Sequence, residues 1–135
     1  IFLRGETSRA SAVPLPVLLG ESDHLQSDAL VRALSQAGCS VKACFTGPDA
    51  VEAAIATRPV AIALRLELAG MSADEVCRLL RRLPGTRVTP IVVYGVDVPG
   101  VQLEHVAGLD ERTCRLVKDL SAERIVQAVL ESVPK

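Results

Sequence analysis

Charged and hydroxyl-bearing side chains follow several short apolar runs of the sequence. Glu21 and Ser22 follow the first run, Arg65 and Glu67 the third, and Lys118 the fifth. If the runs are parallel strands, their carboxyl ends meet at one edge of a sheet and these groups share one pocket. A guanidinium has no nucleophilic oxygen. The set therefore favours charge pairing inside the pocket, with anion binding as the alternative.

The sequence gives little support to other chemistry. The four cysteines show no Cys-x-x-Cys spacing and no cluster with the two histidines, which argues against a zinc or redox site. No glycine-rich phosphate loop and no Gly-x-Ser-x-Gly elbow occurs, and Asp23-His24 lacks the spacing of a cobalamin-binding motif. We predict a chain that is not an enzyme and that carries no metal and no cofactor.

Composition indicates one domain of 135 residues, 49 % hydrophobic and only 2 % aromatic, with a core of aliphatic side chains. Fifteen basic and sixteen acidic side chains give a net charge of −1, which predicts no nucleic-acid binding. No apolar run is long enough to enter a membrane. Free cysteines beside apolar stretches are typical of a reducing compartment, so a cytoplasmic location is expected.

From residue 17 onward, five β-type runs alternate with helical patterns, which predicts βαβ units. Ser22, Thr46, Ser72 and Ser121 are the predicted helix caps. The run 60–64 is continuously apolar and is expected at the centre of the sheet. The fold class is therefore α/β, a flavodoxin-like doubly wound five-stranded parallel sheet with helices on both faces.

Domain boundaries follow from the same pattern. Residues 4–16 are mostly small and polar and end in proline, and we interpret residues 1–16 as a linker from an upstream domain or a segment derived from an expression vector. The domain is predicted to span residues 17–133. Within it, the stretch 98–110 favours only a short helix, because Pro99, Gly100 and Gly108 lower helix propensity.

Four pieces of sequence, in order, resemble the receiver domain of response regulators. They are Val-Leu-Leu-Gly-Glu-Ser-Asp23, then Arg58-Pro-Val-Ala-Ile-Ala-Leu-Arg-Leu-Glu-Leu-Ala-Gly-Met71, then Thr89-Pro-Ile-Val-Val-Tyr-Gly95, and Leu-Val-Lys118. The resemblance covers residues 17–133. It implies a signal-transduction domain of the two-component type.

The resemblance places the family's phospho-accepting aspartate at Arg65, which cannot form an acyl phosphate. The family's acidic pair, which binds magnesium, becomes Glu21 and Ser22, leaving one carboxylate for a metal that prefers several oxygen ligands. The hydroxyl residue that ends the fourth strand in the family becomes Gly95. The resemblance thus implies a degenerate member, a pseudo-receiver.

The lysine of the family persists as Lys118, whereas its neighbours depart from the pattern. Arg115 stands where the switch aromatic is expected, and Asp119 replaces the usual proline. Two cations in one pocket would repel each other. We therefore hypothesise that Arg65 and Lys118 are neutralised by Glu21, with Glu67 as a second candidate carboxylate.

We predict a pseudo-receiver that acts through protein–protein interaction, independently of phosphorylation. The partner would be another signalling protein or a neighbouring domain of the same chain, and homodimerisation stays open. In the family, the fourth helix, fifth strand and fifth helix carry such contacts. The corresponding residues here are Val101, His105, Arg115, Asp119 and Arg124.

Two alternatives remain. In the first, an atypical receiver still accepts phosphate, on Glu67 or Asp97. In the second, a flavodoxin-like regulatory domain holds a small ligand in the pocket at Arg65.

Overall fold

The computed structural model describes residues 13–96 and 114–134. Its elements, in chain order, are β1 Leu15–Gly20, α1 His24–Gln36, β2 Cys39–Cys44, α2 Gly47–Thr57, β3 Ala61–Arg65, α3 Ala73–Arg82, β4 Ile91–Tyr94, β5 Cys114–Val117 and α4 Ala122–Ser132. The strands form one sheet in the order β2-β1-β3-β4-β5, and all four pairings are parallel. The predicted fold class is confirmed, with β3 at the centre of the sheet.

Side-chain alternation along the strands divides the core into two layers. On β3, Ile62 and Leu64 face the layer that packs under α2 and α3. Ala61 and Ala63 face the layer that packs under α1 and α4. Both faces of the strand are buried, which explains its continuously apolar sequence.

Three of the predicted caps are confirmed. Thr46 and Ser121 accept backbone N–H groups at the starts of α2 and α4, and Ser72 forms a reciprocal capping box with Glu75. These caps satisfy amide groups that have no partner inside the helix. The cap residues identified in the sequence therefore mark where these three helices begin.

Two boundary predictions need correction. Asp23, and not Ser22, caps α1, because its carboxylate accepts the N–H groups of Leu25 and Gln26. The strand β1 begins at Leu15, two residues before the predicted domain start at residue 17. Leu15 pairs with Cys39 in the sheet, so the last two residues of the segment interpreted as a linker belong to the fold.

The stretch 98–110, for which a weak helix is predicted, lies outside the described residues. Among the residues that are described, no helix is both long and apolar enough to cross a membrane.

Candidate functional site

Three side chains from three neighbouring strands meet at the carboxyl edge of the sheet. Arg65 pairs with Tyr94 in the β3–β4 register, and Glu21 directly follows β1 on the other side of β3. The Arg65 Nη1 atom lies 3.3 Å from both carboxylate oxygens of Glu21. The hydroxyl of Tyr94 donates a hydrogen bond of 2.9 Å to Glu21 Oε1. The ion pair predicted between Arg65 and Glu21 is confirmed.

Burial makes this small network energetically important. Glu21 is only 1 % exposed and Tyr94 is fully buried, while the Arg65 side chain retains 21 % exposure. A buried carboxylate is costly unless donors and a counter-charge surround it. Glu21 has both, because the Asp23 amide also donates to its Oε2 atom at 3.0 Å. Its acceptor capacity is therefore largely used by the protein itself.

Tyr94 acts as a permanent donor in this network. Burial raises the pKa of its phenol far above the ordinary value, and the negative charge of Glu21 raises it further. The phenol therefore stays protonated at neutral pH. The sequence predicts Tyr94 as a core residue with its hydroxyl at the edge of the pocket. Its bond to Glu21 follows from the sheet, because β3 and β4 end at Arg65 and Tyr94 with both side chains on the same face.

Ser22 joins three loops at the same edge of the sheet. Its hydroxyl donates to the carbonyl of Phe45, in the loop after β2, at 2.6 Å. The same oxygen accepts the N–H of Ala69, in the loop after β3, at 2.9 Å. An ionised carboxylate could not replace it, because a carboxylate accepts but cannot donate to the Phe45 carbonyl. The position at which the resemblance places the family's second acidic residue is thus a structural link here.

We expect Ser22→Ala to lower the free energy of unfolding by about 1–2 kcal/mol, because it leaves two backbone groups without their partner. Urea unfolding measures the change. The matched control is Ser35→Ala, on the exposed face of α1, with an expected change within about 0.5 kcal/mol. Equal effects of the two substitutions would show that the Ser22 hydroxyl does not link the loops.

Gly95 has a backbone that excludes the hydroxyl residue expected there in a receiver. Its φ is +153°, and a Cβ atom added to it would lie 3.2 Å from the Cβ of Leu66. Its N–H donates to the carbonyl of Val117 at 3.1 Å, which holds this conformation in place. A Ser or Thr at this position would be strained.

The other predicted pocket residues are less closely associated. Glu67 is exposed, and within the described part of the chain it forms no ion pair with Arg65, so the second proposed carboxylate does not neutralise that guanidinium. Lys118 follows β5 and is exposed. Asp97 lies outside the described residues.

The predicted partner face is seen only in part. Arg115 of β5 pairs with Glu131 of α4 at 2.8 Å, and Asp119 lies 3.6 Å from Arg124. These side chains are largely solvent-exposed and lie along the surface formed by β5 and α4. Val101 and His105 lie outside the described residues.

In the described ranges 13–96 and 114–134, no metal-binding cluster adjoins Arg65. No group of three His, Cys, Asp or Glu side chains is placed there to hold a metal ion. Cavities occur along β2 and α2, along β5 and α4, and between the ends of α2 and α3, and Arg65 lines none of these.

The strand order defines a flavodoxin-like fold, and several solved structures that are similar to it are receiver domains. The chain is similar to the chemotaxis response regulator CheY4 of Vibrio cholerae, with a TM-score of 0.77 and 18 % identity over 89 % of this chain and 99 % of that one. It is also similar to the signal receiver domain of NarL from Mycobacterium tuberculosis, with a TM-score of 0.71 and 25 % identity over 89 % and 96 % of the two chains.

A third similar structure is the receiver domain of the sensor histidine kinase PA1611 from Pseudomonas aeruginosa. Its TM-score is 0.69 and its identity 22 %, over 88 % of this chain and 99 % of that one. That domain holds a magnesium ion in its active-site cleft. No protein-family model and no curated protein matches the sequence.

Proposed function

We propose that this chain is a pseudo-receiver, a two-component signalling domain that is not switched by phosphorylation and that acts through contacts with another protein or with a neighbouring domain. The observation that carries the proposal is the Arg65–Glu21 ion pair at the end of the central strand. It puts a guanidinium at the position where the receiver pattern has its phospho-accepting carboxylate. A guanidinium can neither attack a phosphodonor nor carry a phosphoryl group.

The surroundings of the ion pair support the same conclusion. Magnesium binding would need several oxygen ligands that are not already engaged in other contacts. Glu21 is already bound by a cation and two hydrogen-bond donors, and Ser22 is held between Phe45 and Ala69. The positive charge of Arg65 would also repel a divalent cation at this point. A permanent ion pair thus takes the place of the metal and the phosphate.

The proposal assigns partner binding to the surface that β5 and α4 form, including Arg115, Asp119 and Arg124, together with Val101 and His105. The ion pairs visible on this surface are exposed and contribute little to stability. Their side chains are therefore available to a partner at small cost to the fold. A cytoplasmic location belongs to the proposal, since all four cysteines are buried free thiols.

The test is a titration with beryllofluoride and magnesium, followed by amide NMR shifts around Arg65, Gly95 and Lys118. We expect no saturable shift, and incubation with acetyl phosphate should leave the intact mass unchanged. The PA1611 receiver domain, which holds magnesium in its cleft, is the positive control for magnesium binding. Partner contacts then have to be sought with the unphosphorylated chain.

Saturable, magnesium-dependent shifts, or a phosphorylated mass, would overturn the proposal in favour of an atypical receiver. Glu67 is the described carboxylate best placed for that chemistry, because it lies two residues after Arg65 and is exposed. Comparing Glu67→Gln with Asp97→Asn would then identify the residue that accepts the phosphate.

A further inference from the structure

A small groove lies at the end of the sheet opposite to the Arg65–Glu21 pair. Its volume is about 170 Å³, and it is lined by Ile55, Arg58, Leu83, Pro84, Gly85 and Thr86. The lining comes from the end of α2 and from the chain that leaves α3. Because helices in this fold run opposite to the strands, both helix ends lie at the amino edge of the sheet. The groove therefore belongs to neither the pocket nor the proposed β5–α4 face.

The size and lining of this groove suit one side chain. Small-molecule sites have volumes of roughly 300–1,000 Å³, so this one is too small for a whole ligand. Ile55 is 53 % exposed at its rim, and Val88, shortly after the lining residues, is 73 % exposed. An aliphatic or aromatic side chain inserted here would be buried, and it would also shield the apolar lining residues from water.

Positive charge lies close to the groove along the chain, and only part of it is paired with a carboxylate. Residues 76–96 contain four arginines and no carboxylate. Arg78 pairs with Asp74, and Arg81 donates to the carbonyl of Thr86, so both have structural roles. Arg82 and Arg87 are exposed and form no ion pair with any described carboxylate. Arg82 and Arg87 directly flank the lining residues 83–86 in sequence, and their charges are complementary to a negatively charged partner.

Arg58 contributes a third cation in an unusual backbone conformation. Its φ is +47°, and among the described residues it is the one non-glycine residue with positive φ. It ends α2, where glycine is the usual residue. The Nε atom of its guanidinium lies 3.9 Å from the position of a Cβ atom built on Gly85, so the arginine head lies along the groove.

We propose that this groove binds an acidic protein segment that inserts one apolar side chain between Ile55 and Leu83 and places its carboxylates against Arg58, Arg82 and Arg87. A nucleic acid fits less well, because stacking of bases needs aromatic side chains. The described aromatic residues are elsewhere, with Phe45 after β2 at the opposite edge and Tyr94 buried at the end of β4. This surface does not depend on the state of the Arg65 pocket.

The test uses three fluorescein-labelled probes and fluorescence anisotropy. They are a short peptide of alternating Asp and Glu with a central Phe, the same peptide with a central Gly, and a single-stranded DNA of similar length. We expect the Phe peptide to bind saturably and about tenfold more tightly than the Gly peptide, because only the former fills the groove. Amide NMR shifts should map to Ile55, Arg58 and residues 83–88.

Arg58→Gly is the decisive variant, because glycine adopts the left-handed conformation without strain and the fold is retained. It should weaken binding of the Phe peptide by about fivefold to tenfold. Arg32→Gln, on the exposed face of α1, should leave binding unchanged. The proposal fails if no probe binds saturably, if the two peptides bind equally, if DNA binds more tightly, or if Arg58→Gly has no effect. A beryllofluoride titration reports on the other end of the sheet, so the two proposals can fail separately.

Discussion

Replacing Arg65 by Met should lower the free energy of unfolding by about 2–4 kcal/mol, because it leaves the carboxylate of Glu21 buried without its counter-charge. Glu21 is 1 % exposed, so its carboxylate has little hydration to offset the lost guanidinium. The hydrogen bonds from Tyr94 and the Asp23 amide remain and keep the loss below that of a fully isolated charge. Urea unfolding followed by circular dichroism measures the change.

Arg78→Met is the matched control. Arg78 forms a shorter ion pair than Arg65, at 3.0 Å from Asp74 on α3, but its side chain is 59 % exposed. We expect a cost below about 0.5 kcal/mol, since exposed pairs are solvated whether or not they form. Similar losses in the two variants would mean that burial of Glu21 does not govern the energetics of the site.

A double-mutant cycle separates the ion pair from simple loss of packing. Glu21→Gln keeps an oxygen that can accept the Tyr94 hydroxyl but removes the buried charge. Combined with Arg65→Met, it should cost less than the sum of the two single substitutions, because no charge is left unpaired. If the losses in the free energy of unfolding are additive, Arg65→Met acts through lost packing and not through the unpaired charge.

The second large effect is expected at Gly47, the first residue of α2. A Cβ atom at this position would overlap the carbonyl oxygen of Met71 and would lie 2.5 Å from its Cβ atom. The loops cannot separate freely, because the Gly47 N–H donates to the carbonyl of Ala69 at 2.8 Å and Ser22 joins the same two loops. We expect Gly47→Ala to destabilise the fold by about 2–3 kcal/mol, as measured by urea unfolding.

Gly85→Ala provides the comparison for a glycine without such contacts. A Cβ atom there would meet only Arg58 Nε, at an ordinary distance of 3.9 Å. The expected change is within about 0.5 kcal/mol or slightly stabilising, because alanine reduces the freedom of the unfolded chain. If Gly47→Ala were as mild as Gly85→Ala, the two loops would not be held together as the structure shows.

These contacts support the proposal that the site does not switch between two arrangements. Glu21, Arg65 and Tyr94 tie the ends of β1, β3 and β4, while Ser22 and Gly47 tie the loops after β1, β2 and β3. A phosphorylation switch needs a second arrangement of such loops that differs little in free energy. Here each substitution that loosens the edge is expected to cost stability, which favours a single arrangement.

Local sequence patterns predicted most of the helices and strands of this protein. The alternation of apolar runs with helical patterns gave five strands, and the caps at Thr46, Ser72 and Ser121 gave three helix starts. The charged residues after the strands predicted the Arg65–Glu21 pair, because parallel strands bring their carboxyl ends to one edge. These inferences need only the residues near each position and the rule that parallel strands end at the same edge of a sheet.

Only the tertiary structure revealed the contacts of Ser22 and Tyr94. Ser22 has the side chain of a helix cap, yet its hydroxyl joins Phe45 and Ala69, which lie 23 and 47 residues away. The bond from Tyr94 to Glu21 spans 73 residues and joins the ends of β1 and β4 across the intervening strand β3. Such contacts depend on how strand order and register bring distant residues together, which the residues around each position do not show.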